Sequence, residues 1–238
     1  MWLLNVRETV NKYLPVFAIF CLACFGCGKE EQGVNIYAAS SLTEAVSVAV
    51  ERYEEISEVK TKVVFAGSNH LAAQLRDGAN ADVFITADAD LIEGLDFQEI
   101  LEGFAYNALV VVKPVDFINK SFELNDLTQD KGLIAICSVG VPCGDTTKAK
   151  FGIINADTYE MNVKAVLSRV ASMEVDLGIV YATDLKNEPK VIEAWPQEIA
   201  CPCVSYAAAS KGKKGNKFSD FLTSDIAKEI FSDHGFSL

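Results

Sequence analysis

The sequence predicts an α/β fold with mainly parallel sheets, and three observations predict it. Apolar stretches of strand length alternate with stretches of helical spacing along the chain. Two strands, ending at Ala39 and Ala66, each run into small residues, a serine and a helix start. Residues 107–112 and 133–137 are near-continuous apolar runs, the pattern of strands buried on both faces.

The first element is a leader. Arg7 and Lys12 precede an almost wholly apolar stretch from Tyr13 to Gly26, and Cys27-Gly28-Lys29-Glu30-Glu31-Gln32 is abruptly polar. A basic start, a short apolar core and small residues before a polar boundary describe a secretion signal over residues 1–27. The core is too short for a membrane span of ~20 residues. Phe25-Gly26-Cys27 resembles a lipoprotein cleavage box, with Cys24 as the competing site, so Cys27 is the expected lipid attachment point. An acyl chain there would hold an exported protein at the outer face of the cell membrane.

Next comes Asn35 to Ala39, a short apolar strand, then Ser40-Ser41. Leu42, Ala45, Val46, Ala49 and Tyr53 follow at helical spacing, so Ser40 or Ser41 is expected to cap that helix. A strand feeding a helix start gathers free N–H groups and partial positive charge at one point, which suits an anion. Val59, Thr61, Val63 and Phe65 alternate with polar residues as a second strand, closed by Ala66-Gly67-Ser68-Asn69-His70. Leu71, Ala72 and Leu75 carry the helix after it, and Asp77-Gly78 ends it. Val83-Phe84-Ile85 is a buried strand, and a short helix passes through Leu91, Ile92 and Leu95. Asp82 and Asp88, at the ends of that strand, read as turn residues rather than a metal pair.

After the runs 107–112 and 133–137, Val141 to Asp145 forms a turn and a helix is expected from Thr146. Val163, Val166, Leu167 and Val170 predict another helix, and Gly178 to Tyr181 a short buried strand. Strands at 191–192 and 204–208 precede one final amphipathic helix through Phe218, Phe221, Leu222, Ile226 and Ile230, stopped by Gly235. In open sheets of this class ligands sit beyond the carboxyl ends of the strands, where both serine turns and the Pro142-Cys143-Gly144 turn lie.

Composition narrows the function. Net charge is −12, and residues 1–26 contribute one positive charge, which leaves −13 on the rest. So acidic a protein is a poor partner for nucleic acid, and any anion site in it must work through local donors. Half the residues are hydrophobic, enough to build real cores. Of the seven cysteines, Cys137 and Cys143 flank a turn and could close a small loop as a disulfide. Cys201 and Cys203 are too close in sequence to bridge each other without strain. No finger-like ligand spacing or suitable histidine supports a zinc site.

The runs AASSLTEA, FAGSNHLAAQL, ADVFITAD, NALVVV, VPCG, NVKAVLSRV and GIVYATD stand in one order across residues 33–236. That order resembles the molybdate-binding proteins of bacterial ABC transporters, a family of periplasmic binding proteins. The resemblance implies two α/β lobes joined by crossing strands, with the ligand in the cleft between them. By analogy, lobe 1 takes residues 30–106 and 207–238, and lobe 2 residues 107–206. It implies molybdate, and tungstate, held by five residues: hydroxyls and N–H groups of Ser41 and Ser68, backbone N–H groups of Cys143 and Val163, and the Tyr181 phenol. It further implies a monomer that delivers its ligand to a membrane permease, with no cofactor and no catalysis.

A tetrahedral dianion offers acceptors only, so a site of donors alone fits it. Each residue also has a plainer reading. Ser41 and Ser68 could do no more than cap helices, and Tyr181 could be a core tyrosine bonded to Asp184 or a carbonyl. Competing functions are a binding protein for another tetrahedral oxyanion such as sulfate, a hydrolase built on Ser68 and His70, and a surface adhesion or sensory module. His234 is expected at the surface.

Overall fold

The computed structural model describes residues 33–129, 131–195 and 204–238. The leader with Cys24 and Cys27, and the pair Cys201 and Cys203, lie outside the described residues. Among the described residues, no helix is long and apolar enough to cross a membrane.

Two five-stranded sheets organise the chain. The first is built by β1 (Val34–Ala39), β2 (Thr61–Ala66), β3 (Val83–Thr86), β4 (Glu99–Asn107) and β10 (Val204–Ser210), in the order β2-β1-β3-β10-β4. The second holds β5 (Leu109–Pro114), β6 (Ile134–Cys137), β7 (Thr158–Glu160), β8 (Leu177–Tyr181) and β9 (Val191–Glu193), in the order β7-β6-β8-β5-β9. The helices are α1 (Thr43–Ser57), α2 (Ser68–Arg76), α3 (Pro142–Phe151), α4 (Val163–Ala171), α5 (Gly212–Leu222) and α6 (Asp225–Asp233). The α/β class with two lobes is therefore as expected.

Both sheets are mixed: four strands of each run in one direction, in keeping with the mainly parallel expectation, and one strand, β10 or β5, runs against them. β1 lies parallel to β2 and β3, and β6 parallel to β7 and β8, but β10 and β5 run antiparallel to their neighbours. The reason lies in how the chain changes lobe. Strands β1, β3, β6 and β8 are followed by turns that face the cleft, so they finish there. A strand entering a lobe from its partner must start at the cleft. So β5 begins with Leu109 opposite Tyr181, the last residue of β8, and β10 runs past the end of β3 with Ala207 opposite Thr86.

Several elements differ from their sequence signals. The run 107–112 is split: Asn107 closes β4, Ala108 crosses, and Leu109 opens β5 in the other sheet. Residues 204–206, expected in the second lobe, pair with β4 in the first sheet. β4 itself gave no signal, because Gly103 sits at φ +63° beside an irregular register that breaks alternation. α3 starts at Pro142, four residues before the expected helix, with proline in the first turn, where its missing N–H costs nothing. The single terminal helix is two, parted at Thr223-Ser224, where the Ser224 side chain accepts from the Ala227 N–H to start α6.

The core follows from the patterns. β3, β6 and β8 are buried along their whole lengths, and α1 turns Ala45, Val46, Ala49, Val50 and Tyr53 inward. Burying a side chain of Val or Leu size contributes about 1.5–3 kcal/mol, so the inward stripe of α1 fixes the position of its first turn. That turn carries Ser41 to the cleft.

Candidate functional site

Six turns, three from each sheet, line one hollow. From the first sheet come Ala39, Ser40 and Ser41 after β1, Gly67 and Ser68 after β2, and Ala87 after β3. From the second come Pro142 and Cys143 after β6, Met161, Asn162 and Val163 after β7, and Tyr181 at the end of β8. All five residues expected to hold a ligand are thus gathered there. The hollow has a cavity volume of about 20 Å³. Sites for drug-sized ligands run to ~300–1,000 Å³, so this one suits an ion of a few atoms.

Neither serine does what a helix cap does. Ser40 to Leu42 forms a 3-10 turn, and α1 starts behind it with no side-chain cap. The Ser41 Oγ accepts instead from the Tyr206 hydroxyl at 2.9 Å. Ser68 is the first residue of α2, behind Gly67, and its Oγ accepts from the Ala87 N–H at 3.2 Å. Each oxygen is occupied as an acceptor, so each O–H remains to be given away. Both residues are buried, at 5 % and 4 % exposure.

The second lobe supplies helix starts. Cys143 is in the first turn of α3 and Val163 opens α4, and first-turn N–H groups have no intrahelical acceptor. Asn162 caps α4 by accepting from the Ala165 N–H at 3.0 Å, which leaves the earlier N–H groups to face the hollow. A disulfide joins Cys143 to Cys137 at the end of β6. Gly144 completes the packing: a Cβ there would fall 1.8 Å from the Ser138 carbonyl oxygen, so only glycine lets α3 lie against that backbone. Tyr181 is 2 % exposed, and the Asp184 carboxylate accepts from its backbone N–H at 3.1 Å.

Charge is kept just outside. No residue lining the hollow is acidic or basic. Beyond the lining, Lys164 Nζ lies 2.8 Å from Glu44 Oε1 and 2.9 Å from Asp184 Oδ1. Burial alone would lower the Lys164 ammonium, but the Asp184 and Glu44 carboxylates outweigh it and hold the group above its ordinary value, so it stays charged at neutral pH. Two other contacts cross the cleft. Asn69 donates to the Gly140 carbonyl at 2.7 Å, and a Cβ on Gly67 would meet the Met161 carbonyl oxygen at 2.8 Å.

A lining of hydroxyls, helix starts and a phenol can hold an anion. The Ser68–His70 pair of a hydrolase is not formed: His70 is exposed, and its ring nitrogen meets the Gln74 side chain at 2.9 Å. Among the described residues there is no cluster of three or more metal-ligating side chains. Sequence reasoning missed the supporting residues. Asn162 was legible, since asparagine before a helical run is a cap signal. Tyr206, 165 positions from Ser41, was not.

The family model for bacterial extracellular solute-binding proteins matches residues 34–237. The molybdate-binding protein ModA of Escherichia coli is 30% identical over 255 residues, covering 96% of this chain and 99% of that protein. ModA of Mycobacterium tuberculosis is 30% identical over 221 residues, covering 87% of this chain and 85% of that protein. Among solved structures, the periplasmic molybdate-binding protein of Azotobacter vinelandii superposes with a TM-score of 0.65 at 20% identity, over 86% of this chain and 99% of the other, a likeness of fold.

Proposed function

Since this chain belongs to the bacterial extracellular solute-binding proteins, we propose that it captures molybdate, and tungstate, for an ABC importer. Ser41, Ser68, Cys143, Val163 and Tyr181 hold the oxyanion by donating hydrogen bonds in a cleft between two lobes. The family is one of binding proteins, not of enzymes. The observation that carries the reading is the lining itself: these five residues meet around one hollow with no acidic or basic side chain in it, and the Ser68 Oγ already accepts from the Ala87 N–H, which leaves its O–H for a ligand.

The chemistry supports a full dianion. A hydrogen bond to a charged group contributes about 1.5–3 kcal/mol. Five of them, less the costs of association, reach the ~8 kcal/mol of micromolar affinity. Backbone dipoles already fixed in place do this without a formal counter-charge. A donor-only lining rejects hydrogen phosphate, whose O–H would find no acceptor. Molybdate is separated from sulfate by cavity size.

Calorimetry with molybdate, tungstate, sulfate and phosphate tests the reading. Molybdate and tungstate should bind at micromolar affinity or tighter. Tight sulfate binding with no molybdate signal would replace the ligand, and no heat with any of them would remove the function. Ser68→Ala and Tyr181→Phe should each weaken binding tenfold or more, a loss of at least about 1.4 kcal/mol. Unchanged affinity in both would take these residues out of the site.

The same reading assigns the rest of the chain. Residues 1–27 export the protein and Cys27 carries the lipid that keeps it at the membrane. The lobes are the first sheet with its helices, residues 33–107 with 204–238, and the second sheet with its helices, residues 109–195 among those described, and a monomer presents the closed form to the permease.

A further inference from the structure

Three charged side chains surround the hollow, and the donor set proposed above uses none of them. Each stands within three residues of a proposed ligand contact: Glu44 after Ser41, Lys164 after Val163 and Asp184 after Tyr181. Lys164 Nζ reaches Glu44 Oε1 at 2.8 Å and Oε2 at 3.0 Å, and Asp184 Oδ1 at 2.9 Å. Glu44 sits on α1, beside the first sheet. Lys164 on α4 and Asp184 after β8 belong to the second. The Glu44–Lys164 pair therefore spans the cleft.

Local structure does not account for this lysine. It lies in the first turn of α4, at the positive end of the helix dipole, where a cation is disfavoured. Its side chain is only 25 % exposed, so it gives up hydration as well. Glu44, by contrast, lies in the first turn of α1, where an anion is favoured. Asp184 is fully buried, and its second oxygen accepts from the Tyr181 N–H at 3.1 Å. Lys164 thus ties the start of α4 to the end of β8, and both to the far lobe.

We propose that Lys164 is a positioning residue that latches the closed cleft, keeping Asp184 as its partner throughout and adding Glu44 only when the lobes meet. The proposal rests on the reading of the hollow as an oxyanion site. The division of partners makes the latch reversible. Opening breaks the Glu44 contact but leaves no charge buried alone, because Asp184 moves with Lys164. Glu44 then returns to solvent at a helix start that already suits it. The two carboxylates also keep the ammonium from entering the hollow, so the ligand meets neutral donors. A latch that exists only in the closed form acts on escape of the ligand more than on its arrival.

The test is Glu44→Gln, which keeps the side-chain shape and leaves the buried Lys164–Asp184 pair intact. Stopped-flow exchange should show molybdate dissociating about three- to tenfold faster than from the wild type, with association little changed. Raising salt from about 50 to about 500 mM, which shortens the screening length severalfold, should speed release from the wild type and add little in the variant. Glu51→Gln, an equal charge change at an exposed site on α1, should release ligand like the wild type. Equal dissociation rates for Glu44→Gln and wild type, or a loss carried by association alone, would overturn the latch. If the wild type gives no heat with any of the four oxyanions, the functional reading fails, and the latch is then judged on ligand-free protein by small-angle scattering. A larger radius of gyration for Glu44→Gln than for wild type at low salt supports it. Identical radii reject it.

Discussion

At Ser41 and Ser68 the deciding detail is which way one proton points. A serine hydroxyl can donate or accept, and in water it does both. In the proposed site the Tyr206 hydroxyl lies against the first and the Ala87 N–H donates to the second, which leaves each able to donate to the cleft. Tyr206 is itself held, since its hydroxyl lies 3.5 Å from the Asn107 side-chain amide, which donates to Thr183 at 2.8 Å. Asn107 closes β4 where the chain crosses between sheets, so the orientation of Ser41 depends on the crossing. Tyr206→Phe keeps the ring, which packs edge-on to Phe236 at 5.6 Å between centroids, and removes only the O–H. It should weaken molybdate about three- to tenfold by calorimetry while the melting temperature stays close to wild type. Equal affinity would show that Ser41 needs no such orienting.

At the scale of elements, the donors stand at the starts of helices, and each start is fixed by a different device. Asn162 caps α4 with its side chain, worth about 1 kcal/mol. The start of α3 has Pro142, the close approach at Gly144 and the Cys137–Cys143 disulfide. A bridge of sequence separation 6 closes a short loop, for which the entropic effect is about 2 kcal/mol. Replacing both cysteines with serine should cost about that much in denaturant unfolding and also weaken oxyanion binding, because the Cys143 N–H loses its anchor to β6. A reductant that opens the bond should have the same two effects on the wild type. Lost stability with unchanged binding would mean that Pro142 and Gly144 suffice to hold the turn.

For the whole molecule, the proposed function requires two lobes that close without clashing, and one position shows how close they come. Gly67 faces the Met161 carbonyl across the cleft, where a Cβ would be 2.8 Å away. Gly67→Ala has nothing to disturb within its own lobe that would demand refolding, since its φ of −59° is open to alanine. It should therefore fold as the wild type does but close poorly. Scattering should show less compaction on adding molybdate, and affinity should drop by tenfold or more. Full compaction with wild-type affinity would show that the lobes can yield at this point.

The sequence by itself determined the α/β class and the turns that end strands, because periodicity and serine or glycine punctuation are local properties. It also marked Ser41, Ser68, Cys143, Val163 and Tyr181 through the order of short motifs, and these do line one hollow. It could not show that the chain changes sheets at Ala108, since buried apolar residues such as Ala105 and Leu109 stand on both sides of the crossing. Nor could it show that the sheets are mixed, because strand direction depends on where the chain enters a lobe. Nothing local in the sequence ties Glu44 to Lys164, or Tyr206 to Ser41. Their roles come from neighbours up to 165 positions away. Only the tertiary structure brings such residues together, and it does so through burial of strands and helix faces that carry none of the binding chemistry themselves.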